Sequence, residues 1–159
     1  MLGLLARWLR FLGYDTLYPE VEDDTELLGM ARKEGRLLLT RDKELAARAG
    51  TGGLLIESVE LDVQLVQLRA GLGLELRNDN RMLRCSRCNS VLAQITKEQA
   101  RQLADERRMV AGAEQIPDGV LARHDRFWRC TGCGQVYWPG SHYERIIGKI
   151  DELEKGGRQ

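Results

Sequence analysis

The chain has 159 residues, 24 basic and 24 acidic side chains, 43% hydrophobic residues and four cysteines. That composition excludes a disordered chain, which would carry far less Leu, Ile and Val, and the length suits one medium domain or a small domain with an appendage. No apolar run approaches the roughly 20 residues that cross a bilayer, and Arg7 and Arg10 interrupt the apolar stretch from Met1 to Gly13 where a signal peptide would be unbroken, so no membrane span is expected and the expected compartment is cytoplasmic.

Leu2, Leu5, Leu9 and Leu12, with Trp8 beside them, recur at spacings of three and four. They predict a helix that ends at Gly13, a residue suited to a left-handed cap. Thr16-Leu17-Tyr18 predicts a short strand before Pro19, and Asp23-Asp24-Thr25-Glu26 opens a second helix that runs through Ala31 to Glu34 and closes at Gly35. Arg36-Leu37-Leu38-Leu39-Thr40 reads as a buried strand of a parallel sheet covered on both faces. A third helix begins at Asp42, Leu54-Leu55-Ile56 is another short buried strand, and Leu61, Leu65, Leu68 and Leu72 mark a further helix. This alternation predicts an α/β sandwich around a mostly parallel sheet, whose sites usually lie beyond the carboxyl ends of the strands.

Turn formers accumulate between Gly71 and Asn80, which places a domain boundary near residues 77–81 and divides the chain into 1–78 and 79–159. Beyond it, Met82-Leu83-Arg84 leads into Cys85-Ser86-Arg87-Cys88, a charged helix is expected from Thr96 to Met109, Phe127-Trp128-Arg129 and Gln135-Val136-Tyr137-Trp138 form a hairpin around Cys130-Thr131-Gly132-Cys133, and Tyr143 to Leu153 closes the chain as a helix. The two parts differ in charge. Residues 1–80 carry 10 Lys/Arg against 14 Asp/Glu, whereas residues 81–159 carry 14 against 10, a pattern that fits an acidic catalytic half beside a nucleic-acid-gripping appendage and equally fits ordinary surface charge.

The two Cys-x-x-Cys pairs, Cys85 with Cys88 and Cys130 with Cys133, are separated by 41 intervening residues. Two such loops can supply four sulfurs at about 2.3 Å to one zinc ion, in a closed site whose role is folding. A thioredoxin-like redox pair or two disulfides are the competing uses. Arg87 and Arg129, with Arg81, Arg84, Arg123 and Arg126, surround these knuckles, and Phe127, Trp128, Tyr137 and Trp138 are close in sequence. Arginines on phosphates and aromatics on unpaired bases would suit single-stranded RNA; alternatively, the aromatics build the small domain's own core. His142 reads as a site residue or a helix N-terminal partner, and His124 as solvent-facing.

Asp24 opens one helix, while Asp42 and Glu44 follow the strand that ends in Thr40, so the three carboxylates can converge at one sheet edge and hold a divalent metal. From spacing alone, Asp23, Asp24 and Asp42 are explained equally well as helix N-caps, each contributing about 1 kcal/mol. Arg41 is the local cation available to a transition state, and Arg7 and Arg10 either position phosphates or lie solvated on the polar face of the first helix.

The opening Met1-Leu2-Gly3-Leu4-Leu5-Ala6-Arg7-Trp8-Leu9-Arg10-Phe11-Leu12-Gly13-Tyr14-Asp15-Thr16 resembles that of the RNase domain family named after the C-terminus of the mutator-seven exonuclease, a PIN-like nuclease domain followed by a four-cysteine zinc ribbon. Asp24-Thr25-Glu26-Leu27, Arg36-Leu37-Leu38-Leu39-Thr40-Arg41-Asp42, and the stretch from Phe127-Trp128-Arg129-Cys130 to Trp138-Pro139-Gly140-Ser141-His142 carry the same resemblance across nearly the whole chain. It implies a PIN-like three-layer α/β sandwich, magnesium or manganese, and cleavage of RNA phosphodiester bonds, with Asp24 and Asp42 as metal ligands, Glu44 a weaker candidate and Thr40 a supporting polar group. PIN-like domains often pair, so a homodimer is allowed for, although no isolated apolar stripe in the sequence demands one. The family usually has a strand ending in a metal-binding aspartate before the Met-Leu-Gly segment, and this chain starts at Met1; the expectation is a start assigned too late, and the rival reading is an RNA-binding or ribosome-associated module that has lost hydrolysis.

Overall fold

A computed structural model describes residues 2–21, 23–76 and 81–156. The chain folds as two compact units, one formed by Met1–Trp8 and Thr16–Glu75, the other by Leu9–Asp15 and Leu76–Gln159. The boundary expected near residues 77–81 falls mostly outside the described residues.

The first helix, α1 (Gly3–Phe11), follows the leucine spacing and buries Leu5 and Leu9. It closes at Gly13 (φ 92°), with the Tyr14 N–H donating to the Leu9 carbonyl at 2.9 Å and the Gly13 N–H to the Arg10 carbonyl at 3.0 Å. These two bonds satisfy carbonyls that the helix end would otherwise orphan. Residues 16–18 form no strand. Two apolar residues and a threonine before a proline have strand composition, but composition alone does not make a ladder, which is set by partners distant in sequence.

In the first unit, α2 (Asp24–Glu34) is capped by Asp23, whose side chain accepts from the Glu26 N–H, and is stopped by Gly35 at φ 62°. It is followed by β1 (Leu38–Thr40), α3 (Lys43–Ala49) and β2 (Gly53–Leu55). The strands pair in parallel, Leu38 with Gly53 and Thr40 with Leu55, and the Ile56 N–H extends the ladder to the Thr40 carbonyl at 2.7 Å. Leu28, Leu38 and Leu45 form the buried cluster that seats both helices on β1. The strands are less enclosed than their apolar runs suggest: Leu39, Leu54 and Leu55 are half-buried and Leu37 is exposed. A Cβ on Gly53 would lie 2.5 Å from the Ala49 Cβ, so the approach of α3 to β2 depends on that glycine.

The last helix of this unit, α4 (Leu61–Leu72), buries Gln64, Leu65 and Leu68. Gln64 Nε2 donates to the Ser58 carbonyl at 2.9 Å and Gln67 Nε2 to the Leu55 carbonyl at 2.6 Å, which ties α4 to the exit of β2.

The second unit is built on an antiparallel sheet in the order β3 (Leu92–Ile95), β4 (Phe127–Cys130), β5 (Val136–Tyr137), with Leu92 opposite Cys130 and Trp128 opposite Tyr137. Between β3 and β4 lie α5 (Lys97–Arg108) and the short α6 (Asp118–Arg123). A capping box of Thr96 and Gln99 opens α5, with both reciprocal bonds present. Phe127 is fully buried among Ala100, Ala104, Ile116, Val120, Leu121 and Val136, and Trp138 packs against that cluster. The chain ends in α7 (Ser141–Gly156), whose Tyr143 ring lies 5.6 Å from that of Phe11. Among the described residues no helix is long and apolar enough to cross a membrane.

Candidate functional site

The strongest chemical constellation is the pair of knuckles. Cys85 and Cys88 lie just before β3, while Cys130 ends β4 and Cys133 precedes β5, so the pairing of β3 with β4 brings the two loops together. All four Sγ atoms lie within 4.8 Å of one another, with Cys85 and Cys133 at 3.6 Å and Cys88 and Cys130 at 3.4 Å. Four sulfurs at about 2.3 Å from a tetrahedral zinc sit about 3.8 Å apart. The cluster therefore fits a zinc ion, and the four cysteines are placed to hold one.

The surroundings pull the thiols in opposite directions, with Cys130 and Cys133 raised by burial and Cys88 lowered. The amides of Gly132 and Cys133 donate to Cys130 Sγ at 3.4 and 3.3 Å, and the Tyr137 hydroxyl lies 3.1 Å from Cys85 Sγ. Burial pushes the Cys133 thiol up to about 12, and hydrogen bonding with Cys88, Cys130 and Cys85 adds to the effect. Burial would raise Cys88 as well, but hydrogen bonds with the Ser90 side chain and backbone, and with Cys130 and Cys133, bring it down to about 6. Burial and the bond to Cys85 also raise the Tyr137 hydroxyl. Cys85 and Cys130 are buried, whereas Cys88 and Cys133 are exposed.

Three of the four aromatics singled out near the knuckles serve this unit itself: Phe127 and Trp138 in its core and Tyr137 on Cys85. Trp128 is half-buried. Arg129 is exposed on β4, and Arg87 is exposed with its Nη1 on Glu114 Oε2 at 3.0 Å and Gln135 Oε1 at 2.6 Å. His142 is exposed in the first turn of α7, while His124 is half-buried where α6 ends.

The first unit sets its carboxylates in a different frame. A cavity of about 370 Å³ is lined by Ala31 and Gly35 at the end of α2, Ala49 at the end of α3, Leu37 and Leu38 where β1 begins, and Gly52 just before β2. Arg32 Nη2 donates to the Arg48 carbonyl at 2.9 Å near the same helix ends. Both helices thus finish, and both strands start, beside the cavity.

Asp42 Oδ1 accepts the Leu45 N–H at 2.8 Å, and its own N–H donates to Thr40 Oγ1 at 3.0 Å. Thr40 is 9% exposed. Asp24, Arg41, Asp42 and Glu44 are exposed to solvent. Asp23, rather than Asp24, caps α2 through a 2.8 Å bond from the Glu26 N–H, so the Asp24 carboxylate is not the N-cap that spacing allowed. Among the described residues, the four cysteines are the one group of three or more His, Cys, Asp or Glu side chains close enough to share a metal. Among the described residues Asp24, Asp42 and Glu44 form no three-carboxylate cluster, and Asp42 Oδ1 is engaged by the Leu45 N–H.

Arg7 is exposed on α1. Arg10 is 7% exposed, and its Nη1 donates to the carbonyls of Ser86 at 3.2 Å and Arg87 at 3.0 Å. That buried position serves the first knuckle and does not offer the guanidinium to a phosphate. Sequence reading missed this use and that of Tyr137. The only signal was that Arg10 lies four residues after the buried Ala6, on the flank of the apolar arc of α1.

The family model of the Mut7-C RNAse domain matches residues 1–150 of the chain. The chain is also similar to the human protein named exonuclease mut-7 homolog, with 28% identity over an alignment of 216 positions that covers 92% of this chain and 24% of that protein. It thus spans about a quarter of that relative's length. No solved structure matches.

Proposed function

The chain belongs to the Mut7-C RNAse domain family, and from that premise we propose that it is a metal-dependent ribonuclease that hydrolyses phosphodiester bonds of single-stranded RNA. The observation that carries this reading is the family match over residues 1–150; Asp42, two residues after the carboxyl end of β1, stands where α/β folds place their chemistry, and Asp24 is the carboxylate we assign to act with it. In this reading the first unit is a PIN-like three-layer sandwich and the second a zinc ribbon.

Asp24 and Asp42 supply hard oxygen donors, and such a pair fits magnesium or manganese, which is commonly held by one or two carboxylates and completed by water and substrate phosphate. When bound, the ion activates water and neutralises charge on the scissile phosphate. The chain's own groups do the rest. Thr40 fixes the Asp42 backbone through its hydroxyl, so the carboxylate leaves the strand at a set angle. Glu44, in the first turn of α3, adds negative charge beside the site. Arg41, exposed next to Asp42, is placed to meet charge developing on the phosphate. Arg7, Arg87 and Arg129 are exposed cations for the RNA backbone. The zinc held by Cys85, Cys88, Cys130 and Cys133 folds the second unit and takes no part in hydrolysis.

The test is cleavage of a labelled single-stranded RNA by the purified chain with magnesium or manganese, against the same reaction in chelator and with Asp24→Asn. Metal-dependent cleavage lost in the variant supports the reading; cleavage unchanged by chelator, or by Asp24→Asn, overturns it. A second reading is favoured by one observation, the lack of a group of three or more carboxylates among the described residues: an RNA-binding module without hydrolysis. It predicts salt-dependent retention of RNA by the second unit's arginines, with no cleavage in either metal.

A further inference from the structure

The segment Leu9–Asp15 grips the first knuckle at three points. Arg10 Nη1 donates to the carbonyls of Ser86 and Arg87, the two residues inside the Cys85–Cys88 loop, at 3.2 and 3.0 Å. Asp15 Oδ1 accepts from Asn89 Nδ2 at 2.7 Å, and its Oδ2 lies 3.3 Å from Arg84 Nη2. The Phe11 carbonyl accepts the Met82 N–H at 3.2 Å.

Asn89 is the residue that turns the chain back after Cys88. Its φ of 68° is left-handed, its N–H donates to the Cys85 carbonyl at 2.9 Å, and its carbonyl accepts from Arg84 Nη1 at 3.2 Å. An asparagine reaches this conformation at modest cost, and the bond from Asp15 holds it there. In a thiolate loop the amides face the sulfurs, as those of Gly132 and Cys133 do in the second knuckle. The carbonyls then point away from the sulfurs and are left to accept from a neighbouring donor. In the first knuckle that donor is Arg10.

We propose that Arg10 and Asp15 are positioning residues of the metal centre, a role that rests on the four cysteines holding zinc. They preset the Cys85–Cys88 loop so that both sulfurs meet the ion without rearrangement. The Arg10 cation also opposes the net negative charge of four thiolates around a divalent ion. Outer groups that orient ligands in this way typically change metal affinity by about 10–100-fold when removed. Because coupling is reciprocal, zinc in turn steadies Leu9–Asp15.

The test uses the full chain and three variants, Arg10→Gln, Arg10→Lys and Asp15→Asn, each checked for fold by circular dichroism. Zinc transfer to a chromophoric chelator reads affinity, the cobalt-substituted spectrum reads thiolate geometry, and hydrogen exchange of residues 9–15 is followed with and without zinc. Arg10→Gln should hold zinc about 10–100-fold more weakly with shifted cobalt–thiolate bands, Arg10→Lys should recover part of the loss, and wild-type residues 9–15 should exchange faster once zinc is removed. Ile150→Val, which trims a fully buried side chain of α7, should lower stability yet leave zinc transfer unchanged. Folded Arg10→Gln and Asp15→Asn that hold zinc as the wild type does would overturn the proposal alone. So would an equal loss in Ile150→Val. Wild-type protein that takes up no zinc would overturn the zinc reading, and the proposal with it.

Discussion

Asp42 has two roles in the proposed site, and substitution separates them. Its Oδ1 accepts the Leu45 N–H at 2.8 Å and closes the first turn of α3. Asparagine offers the same oxygen and ranks beside aspartate as an N-cap, so Asp42→Asn gives up only the charge's interaction with the helix end, about 0.3–1 kcal/mol. Alanine cannot accept the bond, and Asp42→Ala should cost about 1 kcal/mol in cap energy, or about 2–4 °C in melting midpoint for a chain of this size. Catalysis depends on the anion instead. A metal's contribution of several kcal/mol to a phosphoryl transition state converts to a rate loss of at least about a hundredfold when its ligand is removed. The expected result is therefore Asp42→Asn near wild-type stability by thermal circular dichroism but inactive against single-stranded RNA in magnesium or manganese, and Asp42→Ala both inactive and less stable. Asp42→Asn that cleaves at the wild-type rate would refute the metal-ligand assignment, and Asp42→Ala that melts with the wild type would refute the capping argument.

Three further outcomes are expected. Phe127→Ala empties the centre of the second unit's cluster and should cost about 3–5 kcal/mol in urea unfolding; a loss under about 1 kcal/mol would show that the cluster closes over the gap. Gly53→Ala forces a methyl to within 2.5 Å of the Ala49 Cβ and should cost about 1–3 kcal/mol, with much of it restored in the double variant Gly53→Ala/Ala49→Gly, whereas additive losses would place the strain elsewhere. Asp125 is held below the usual carboxylate range by its 2.7 Å hydrogen bond from Lys97 and by that residue's charge. A lowered folded-state value stabilises above the ordinary aspartate range and is lost as pH falls through the folded value, so Lys97→Met should let the Asp125 carboxyl titrate back up in an NMR titration and remove that acid-side dependence; an unmoved titration would remove the pair.

The helix limits were legible because their stop signals are local. Asp23, Asp42 and Thr96 each cap the helix whose start they announce, and Gly35 and Gly73 adopt the left-handed conformations that end α2 and α4. The hairpin of β4 and β5 was equally plain from its flanking cysteines. Strands were harder, since pairing is decided by partners distant in sequence. Thr16-Leu17-Tyr18 has strand composition yet is not a strand, while β3 was passed over because Ala93 and Gln94 are both exposed and break the alternation a strand is recognised by. The six residues of α6 are too few for a helical period to register. The cysteine cluster could be read from spacing alone because two short loops fix their own geometry. The carboxylate pattern could not, since a cap and a metal ligand look the same until the capping bond from Leu45 to Asp42 is seen, and the bond to Asp23 shows which of two adjacent aspartates the helix uses. Arg10 looked like a surface charge because nothing in a linear reading says that the carbonyls of residues 86 and 87 will come to meet it.

The cysteines alternate in exposure, the first of each pair buried and the second open to solvent. If the four sulfurs hold an ion, a competing ligand arriving from water would meet one sulfur of each loop before either inner one. Release would then have a direction built into it, from the two open sulfurs inward to Cys85 and Cys130, one in the loop that precedes β3 and one at the end of β4.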